Sequence, residues 1–484
     1  MIFNSTEFLI FFIIVFSLYY FVAKEKTRVQ NILLLFASYV FYAWANWKIL
    51  PLLAVITACF YGLGIVVFEA KTEKRKQLFT IAGVILGIGI LLYFKYVNFF
   101  ISSFKELFEN FGLQTNLHTF NIILPIGISF YTFRLLSYII DIQRGKFEPT
   151  RDVIVFATYV AFFPCILSGP IDRPGTLIPQ LQNKRTFDYS LAVDGMRQIL
   201  WGLFKKVVVA DNCAVFVNQV FDGEFRMQTC GALLLAAGFY SFQLYADFSG
   251  YSDMAIGLAK LLGLRVTKNF DYPFFAQNIA EYWRKWHISL TSWLTDYVFM
   301  PLNIKWRDRG VWGTIAAILI TFILIGLWHG DNWKFLFFGI YHGLLYIPLI
   351  LSGAMFKKKK IQTYGWGFPK PKVLINILIT FCLVALGNVI FRADNLYRAF
   401  EYLREMANVR SIFSMPIPII LLVKAGFAVA CMLAVEWSER KNQYGLEKFG
   451  TTWKPGFRYA LYYFLIVLAF ISMGKEQVFI YFQF

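Results

Sequence analysis

The chain has 484 residues, 58% of them hydrophobic and 19% aromatic, with a mean hydropathy of +0.56. Apolar runs of about 20 residues recur from end to end, which excludes a water-soluble globule and predicts a multi-pass membrane protein. The net charge of +18 sits in loops between those runs with no nucleic-acid motif beside it, so it reads as basic loops facing acidic lipid headgroups rather than nucleic acid.

In chain order, candidate spans fall at 7–23, 29–45, 50–69, 78–96, 122–141, 153–169, 228–247, 311–328, 333–352, 372–391, 414–435 and 456–473. The first has no Lys or Arg ahead of it and no small-residue cleavage site, so it reads as a span and not a signal peptide. Lys24, Lys26 and Arg28 follow the first span, and Lys71, Lys74, Arg75 and Lys76 follow the third. Placing these loops in the cytoplasm puts the N-terminus outside. Lys357 to Lys360 and Arg440-Lys441 fall on the same inner side, and the last span carries the C-terminus out. With so much of the chain in spans, the expectation is one integral membrane domain over residues 1–484, all-α.

Two stretches depart from simple spans. Ser190 to Ala210 carries Arg197, Lys205 and Lys206 among Leu200, Trp201, Leu203 and Phe204. It reads equally as an interfacial segment with headgroups on its basic residues or as an amphipathic connector. Residues 250–301 hold shorter helical pieces rich in Trp and Tyr, too polar to face lipid, and are expected to be buried in protein or to line a cavity. The six cysteines form no CxxC pair and read as small core hydrophobes.

The chemistry-bearing candidates are few. The chain has four histidines, and His329 ends an apolar run in Gly326-Leu327-Trp328-His329-Gly330. An ionisable side chain at membrane depth is costly and points to function, and imidazole exchanges protons near neutrality. His287 lies in Tyr282-Trp283-Arg284-Lys285-Trp286-His287-Ile288-Ser289-Leu290. Read as one helix, this stretch puts Trp286, Leu290, Trp293 and Tyr297 on one stripe, with Arg284 one turn before His287. His118 sits in a polar loop, and His342 follows Tyr341 in an apolar run near a possible kink at Gly343. A continuous helix would put His329 and His342 on different faces, and no HExxH or i, i+4 histidine pair exists, so no metal is expected. In Gln243-Leu244-Tyr245-Ala246-Asp247-Phe248-Ser249-Gly250-Tyr251-Ser252-Asp253-Met254, two carboxylates border the apolar core. They either pair structurally with Arg284 or Lys285, or orient a histidine. No GxSxG elbow or phosphate loop occurs, so a serine hydrolase has no support.

The stretches Asp247 to Gly257, Tyr282 to Leu290 and Leu327-Trp328-His329-Gly330 together strongly resemble the membrane-bound O-acyltransferase family. The start Met1-Ile2-Phe3-Asn4-Ser5, with Phe8-Leu9 and Phe11-Phe12, looks like its alginate O-acetylase branch, which also includes peptidoglycan O-acetyltransferases. The resemblance extends over nearly the whole chain. It implies a ring of about 11–12 helices around a thinned centre, where an outer funnel meets a cytosolic tunnel. It also implies that His329 is the catalytic histidine and His287 the second family position, often histidine or asparagine. Asp331 and Phe338 stand where the family more often has a small residue and a tryptophan. Asp247, Ser249, Tyr251, Arg284, Trp286, Trp328 and Asn332 are the expected substrate-binding residues.

By the same resemblance the protein lies in the bacterial cytoplasmic membrane, takes its acyl group from acetyl-CoA or another acyl thioester, and binds no cofactor. The acceptor is a cell-surface polysaccharide, with a separate extracytoplasmic esterase-like partner completing the transfer. An imidazole in an apolar passage favours its uncharged form. His329 would accept the hydroxyl proton as the oxygen attacks the thioester, then protonate the leaving thiolate. The rival readings are a D-alanyl transferase for teichoic acid, a proton-coupled transporter with histidine relays, and a structural assembly protein.

Overall fold

The computed structural model describes residues 1–357, 360–365, 367–408, 418–474 and 479–480. Among the described residues the regular structure is helical, apart from one isolated bridge between Thr363 and Pro369. Seven helices there are long and apolar enough to cross a membrane: Trp47–Glu69, Glu73–Asn110, Arg307–His329, Trp333–Leu351, Pro371–Arg392, Ile419–Ser438 and Pro455–Ser472. The molecule is an all-helical, polytopic membrane protein.

Several expected spans take another form. The one at 29–45 is a 17-residue helix, Thr27–Ala43. That at 228–247 is part of Cys230–Leu261, a 32-residue helix made too polar for a simple span by Gln243, Asp247 and Asp253. Residues 414–417 of the expected span at 414–435, and Lys358 and Lys359 of the basic run, lie outside the described residues. Cys59 and Cys382, expected in the core, are exposed on apolar helices, where lipid takes the place of protein neighbours.

The chain divides into two compact units, Met1–Ile199 with Ala255–Thr267, and Leu200–Met254 with Lys268–Phe484. In the first, the expected span at 153–169 breaks after Val153–Ala161, and Pro164 lies just beyond the break. Proline has no N–H for the carbonyl four residues back, which is that of Val160. Arg134, fully buried on helix Ile128–Gln143, donates to that Val160 oxygen at 3.2 Å and to the oxygens of Cys165 at 2.8 Å and Pro170 at 3.1 Å. One guanidinium therefore satisfies the carbonyls that the break leaves without helical partners.

The second unit holds the candidate chemistry. Helix Gly310–His329 doubles back as helix Trp333–Leu344. The two approach closely because Gly326 and Gly339 face each other's backbones. A Cβ on Gly326 would collide with the Phe335 carbonyl, and one on Gly339 with the Phe322 carbonyl. Small residues permit such close packing of membrane helices. Gly339→Ala is expected to push the hairpin apart and to destabilise the protein by about 1–3 kcal/mol. A lowered thermal midpoint in detergent would register this, with Gly365→Ala, on an exposed turn with open space around it, as the comparison.

Two lysines of the segment read either as interfacial or as an amphipathic connector are buried. Phe204–Ala210 forms a π-helical turn, and Lys205 and Lys206 on it are 3% and 5% exposed. Lys205 pairs with Asp253 at 2.6 Å, and Lys206 with Asp247 at 2.8 Å and Asp211 at 3.0 Å. Carboxylates inside the apolar unit require such cations, and the wider π turn presents both lysines to them.

Candidate active site

His329 is the last residue of its helix and is 5% exposed, so it faces protein and not lipid. The chain extends at Gly330, and Asn332 restarts helix by accepting from the Lys334 N–H at 3.0 Å. That capping bond gives the Asn332 side chain a local structural role. Three aromatic rings surround the His329 imidazole: Trp328 at 4.8 Å, Phe391 at 5.0 Å and Phe338 at 5.8 Å between centroids. Phe338 thus supplies an aromatic wall beside His329.

The expected continuous helix through His287 is broken at that residue. Helix Ile279–Lys285 ends, His287 takes the left-handed conformation (φ 45°, ψ 53°), and helix Ile288–Leu294 begins. The stripe from Trp286 to Tyr297 is accordingly not one helical face. A left-handed residue turns the chain sharply, and histidine tolerates it better than most non-glycine residues. The turn aims the ring inward, where it is 1% exposed, 4.7 Å from Phe248 and 5.5 Å from Trp328. The Trp328 indole therefore touches both imidazoles. His287 Nδ1 lies 3.0 Å from Asn269 Oδ1.

Burial pushes the His287 imidazole from 6.5 down to about 3. Between those values the unfolded chain holds a proton that the folded chain does not, so stability rises with pH across this window. Acidification below pH 6.5 should lower stability by about 1.4 kcal/mol per pH unit for this one proton. Thermal midpoints in detergent should fall less steeply with acid in His287→Asn, a change that keeps a residue tolerant of the left-handed turn.

The other expected site residues divide into groups. Asp247 and Asp253 pair with Lys206 and Lys205, not with Arg284 or Lys285. Arg284 instead donates to the Met355 carbonyl at 3.0 Å, and Lys285 pairs with Glu281 at 3.2 Å. Ser249 accepts from Lys205 at 2.9 Å, and Tyr251 packs on Phe479 at 4.9 Å. The Ile480 N–H donates to Asp247 at 2.9 Å. Asp247, Ser249 and Tyr251 thus belong to a buried ionic and aromatic layer, which meets His287 at Phe248. Trp286 is buried between Phe270 at 5.1 Å and Tyr282 at 5.5 Å.

His118 is exposed, as its polar loop implied. His342 is buried, and the Trp283 indole N–H donates to its Nδ1 at 3.2 Å. On its other side Trp283 borders a cavity of about 300 Å³ lined also by Arg284, Ile288, Thr291, Ser292, Asp296, Ile325, Met355 and Phe356. Ile288 follows His287 in sequence, and Ile325 precedes His329 by one helical turn.

Sequence reasoning missed Asn269, Trp283 and the two lysines. Trp283 carried a signal in the aromatic motif itself. The lysines carried one in the need of Asp247 and Asp253 for cations. Asn269 lies in the irregular stretch between Leu261 and Pro273, where no periodicity marks it.

The chain is 40% identical over 408 residues to the "Probable alginate O-acetylase" of Pseudomonas aeruginosa, covering 84% of this chain and 75% of that one. It is 30% identical over 441 residues to the peptidoglycan O-acetyltransferase of Helicobacter pylori, covering 85% and 81%. To the teichoic acid D-alanyltransferase of Bacillus subtilis it is 30% identical over 280 residues, covering 56% and 69%. A family model matches residues 36–390, a range that includes His287, His329, the lysine–aspartate pairs and the residues lining the cavity. The chain belongs to the membrane-bound O-acyltransferase family.

Proposed function

We propose that the protein moves an acetyl group from a cytosolic thioester, acetyl-CoA in the simplest case, across the bacterial cytoplasmic membrane for O-acetylation of a cell-surface polysaccharide. The observation that carries this reading is the pair of buried imidazoles on one shared indole, with a cavity whose walls include a neighbour of each. Imidazoles held in apolar surroundings suit proton transfer to and from a reacting oxygen. His329 takes the proton of the acceptor hydroxyl as its oxygen attacks the thioester carbonyl. The C–S bond then breaks, and the imidazolium returns the proton to the departing thiolate. His287 supplies a second proton acceptor beside it.

The cavity receives the thioester arm. Arg284 favours the anionic part of the donor, and the Thr291 and Ser292 hydroxyls hydrogen-bond its amides. Met355 and Phe356, followed by the basic run, lie on the cytoplasmic side by the charge rule, with both termini outside. An extracytoplasmic esterase-like protein passes the group to the glycan. Higher identity to the alginate O-acetylase, and a match over more of the chain with both O-acetylases than with the D-alanyltransferase, favour acetyl as the group moved.

The test is transfer by the purified protein in proteoliposomes, with labelled acetyl-CoA on one face and the partner and glycan on the other. Label should reach the glycan only when all components are present. Transfer of D-alanine from a carrier protein in place of acetyl, or solute flux without thioester consumption, would overturn the proposal.

A further inference from the structure

We propose that Asn269 is a positioning residue for the transfer: its side-chain amide holds His287 as the Nδ1–H tautomer and leaves Nε2 as the ring's proton acceptor. This rests on the reading that His287 takes part in the reaction.

The hydrogen bonds around Asn269 fix which way its amide faces. Asn269 is fully buried. Its Oδ1 lies 3.3 Å from the Ser289 backbone N, 2.9 Å from Ser289 Oγ and 3.0 Å from His287 Nδ1. A backbone N–H can only donate, so the amide atom opposite Ser289 N must be the oxygen. The other end agrees, because Nδ2 donates to Ser252 Oγ at 3.1 Å. The same oxygen then faces His287 Nδ1, and two acceptors at that separation would repel. Nδ1 therefore carries the proton. A neutral imidazole has only one N–H, so the lone pair is on Nε2.

The backbone reinforces this choice. The Asn269 carbonyl accepts from the Ile288 N–H at 2.8 Å, so the asparagine grips the residue after His287 by main chain and His287 itself by side chain. The left-handed turn at His287 fixes the ring's direction, and the amide fixes its proton. A neutral amide stabilises a forming imidazolium by its dipole alone and leaves the resting imidazole weakly basic. A carboxylate there would add a full charge and raise the basicity. The carboxylates on neighbouring elements have cations of their own: Asp247 and Asp253 beside Phe248 have Lys206 and Lys205, Asp271 has Lys268, and Glu281 has Lys285. His329 also lies nearby, across Trp328.

The experiment combines spectroscopy with a pH profile. In the full-length protein labelled with 15N-histidine, the His287 signals, assigned by their loss in His287→Asn, should show a protonated Nδ1 and an unprotonated Nε2 at pH 7.5. Asn269→Ala should give mixed tautomers and lower kcat by roughly tenfold, with KM for the thioester unchanged. Asn269→Asp, nearly equal in size, should move the acid limb of the kcat profile up by about one pH unit or more. A wild-type Nε2–H tautomer, or an acid limb unmoved in Asn269→Asp, overturns the inference. The wild-type spectrum decides it even if Asn269→Ala does not fold. Should the tautomer be as stated while His287→Asn keeps full transfer, the reading of His287 in catalysis fails and not the assignment of its proton.

Discussion

Replacing His329 with alanine should reduce acetyl transfer by about 10²–10⁴-fold, the range that positioned general acid–base groups contribute. The reaction needs a proton removed from a hydroxyl and delivered to a thiolate, and an alanine methyl can do neither. Donor binding should survive, since the cavity is lined by other side chains and reaches only to Ile325, one turn away. The expected pattern is therefore a collapse of kcat with KM for the thioester nearly unchanged. Removing a ring from the cage of Trp328, Phe338 and Phe391 also leaves a small void, so thermal midpoints must be measured alongside. His329→Gln fills more of that void and should be equally inactive. Equal acetyl transfer by wild type and both variants would rule out the assignment. A variant that melts earlier yet transfers normally would show that the ring serves packing alone.

Lys206→Met should produce the largest loss of stability, about 3–5 kcal/mol. Its amine is 6% exposed and lies between the carboxylates of Asp247, 3% exposed, and Asp211, 20% exposed. With the lysine gone, Asp247 keeps the Ile480 N–H but loses its cation in surroundings that solvate charge poorly. The double variant Lys206→Met with Asp247→Leu removes both charges and should recover part of the loss. Thermal or denaturant midpoints in detergent measure this. If Lys206→Met shifts them no further than Lys71→Met, on an exposed loop, the buried pair contributes nothing.

The membrane class of the fold was plain from the apolar runs, since spans such as Trp47–Glu69 and Pro371–Arg392 are set by length and hydropathy alone. The break near Pro164 was also within reach of sequence, because proline withholds an N–H whatever its context. The break at His287 was not. Trp286 and His287 are neither glycine nor proline, and the left-handed turn is held by Asn269, far away in sequence. The lysine–aspartate pairs were hidden for a related reason. A regular 3.6-residue period points Lys205 and Lys206 in different directions, and only the π turn lets both meet the same helix. In the structure His287 and His329 both lie against Trp328, and Arg284 lines the cavity. Asp247 and Ser249 did not join the histidines, because their polar groups are engaged with lysines and the Ile480 N–H, and Tyr251 packs its ring on Phe479.

A single indole serves as a party wall between two buried imidazoles. Any replacement of Trp328 that frees space beside one ring frees it beside the other. The surroundings of His287 and His329 are then linked traits, and an engineer or a lineage altering one through this residue inherits a change in both.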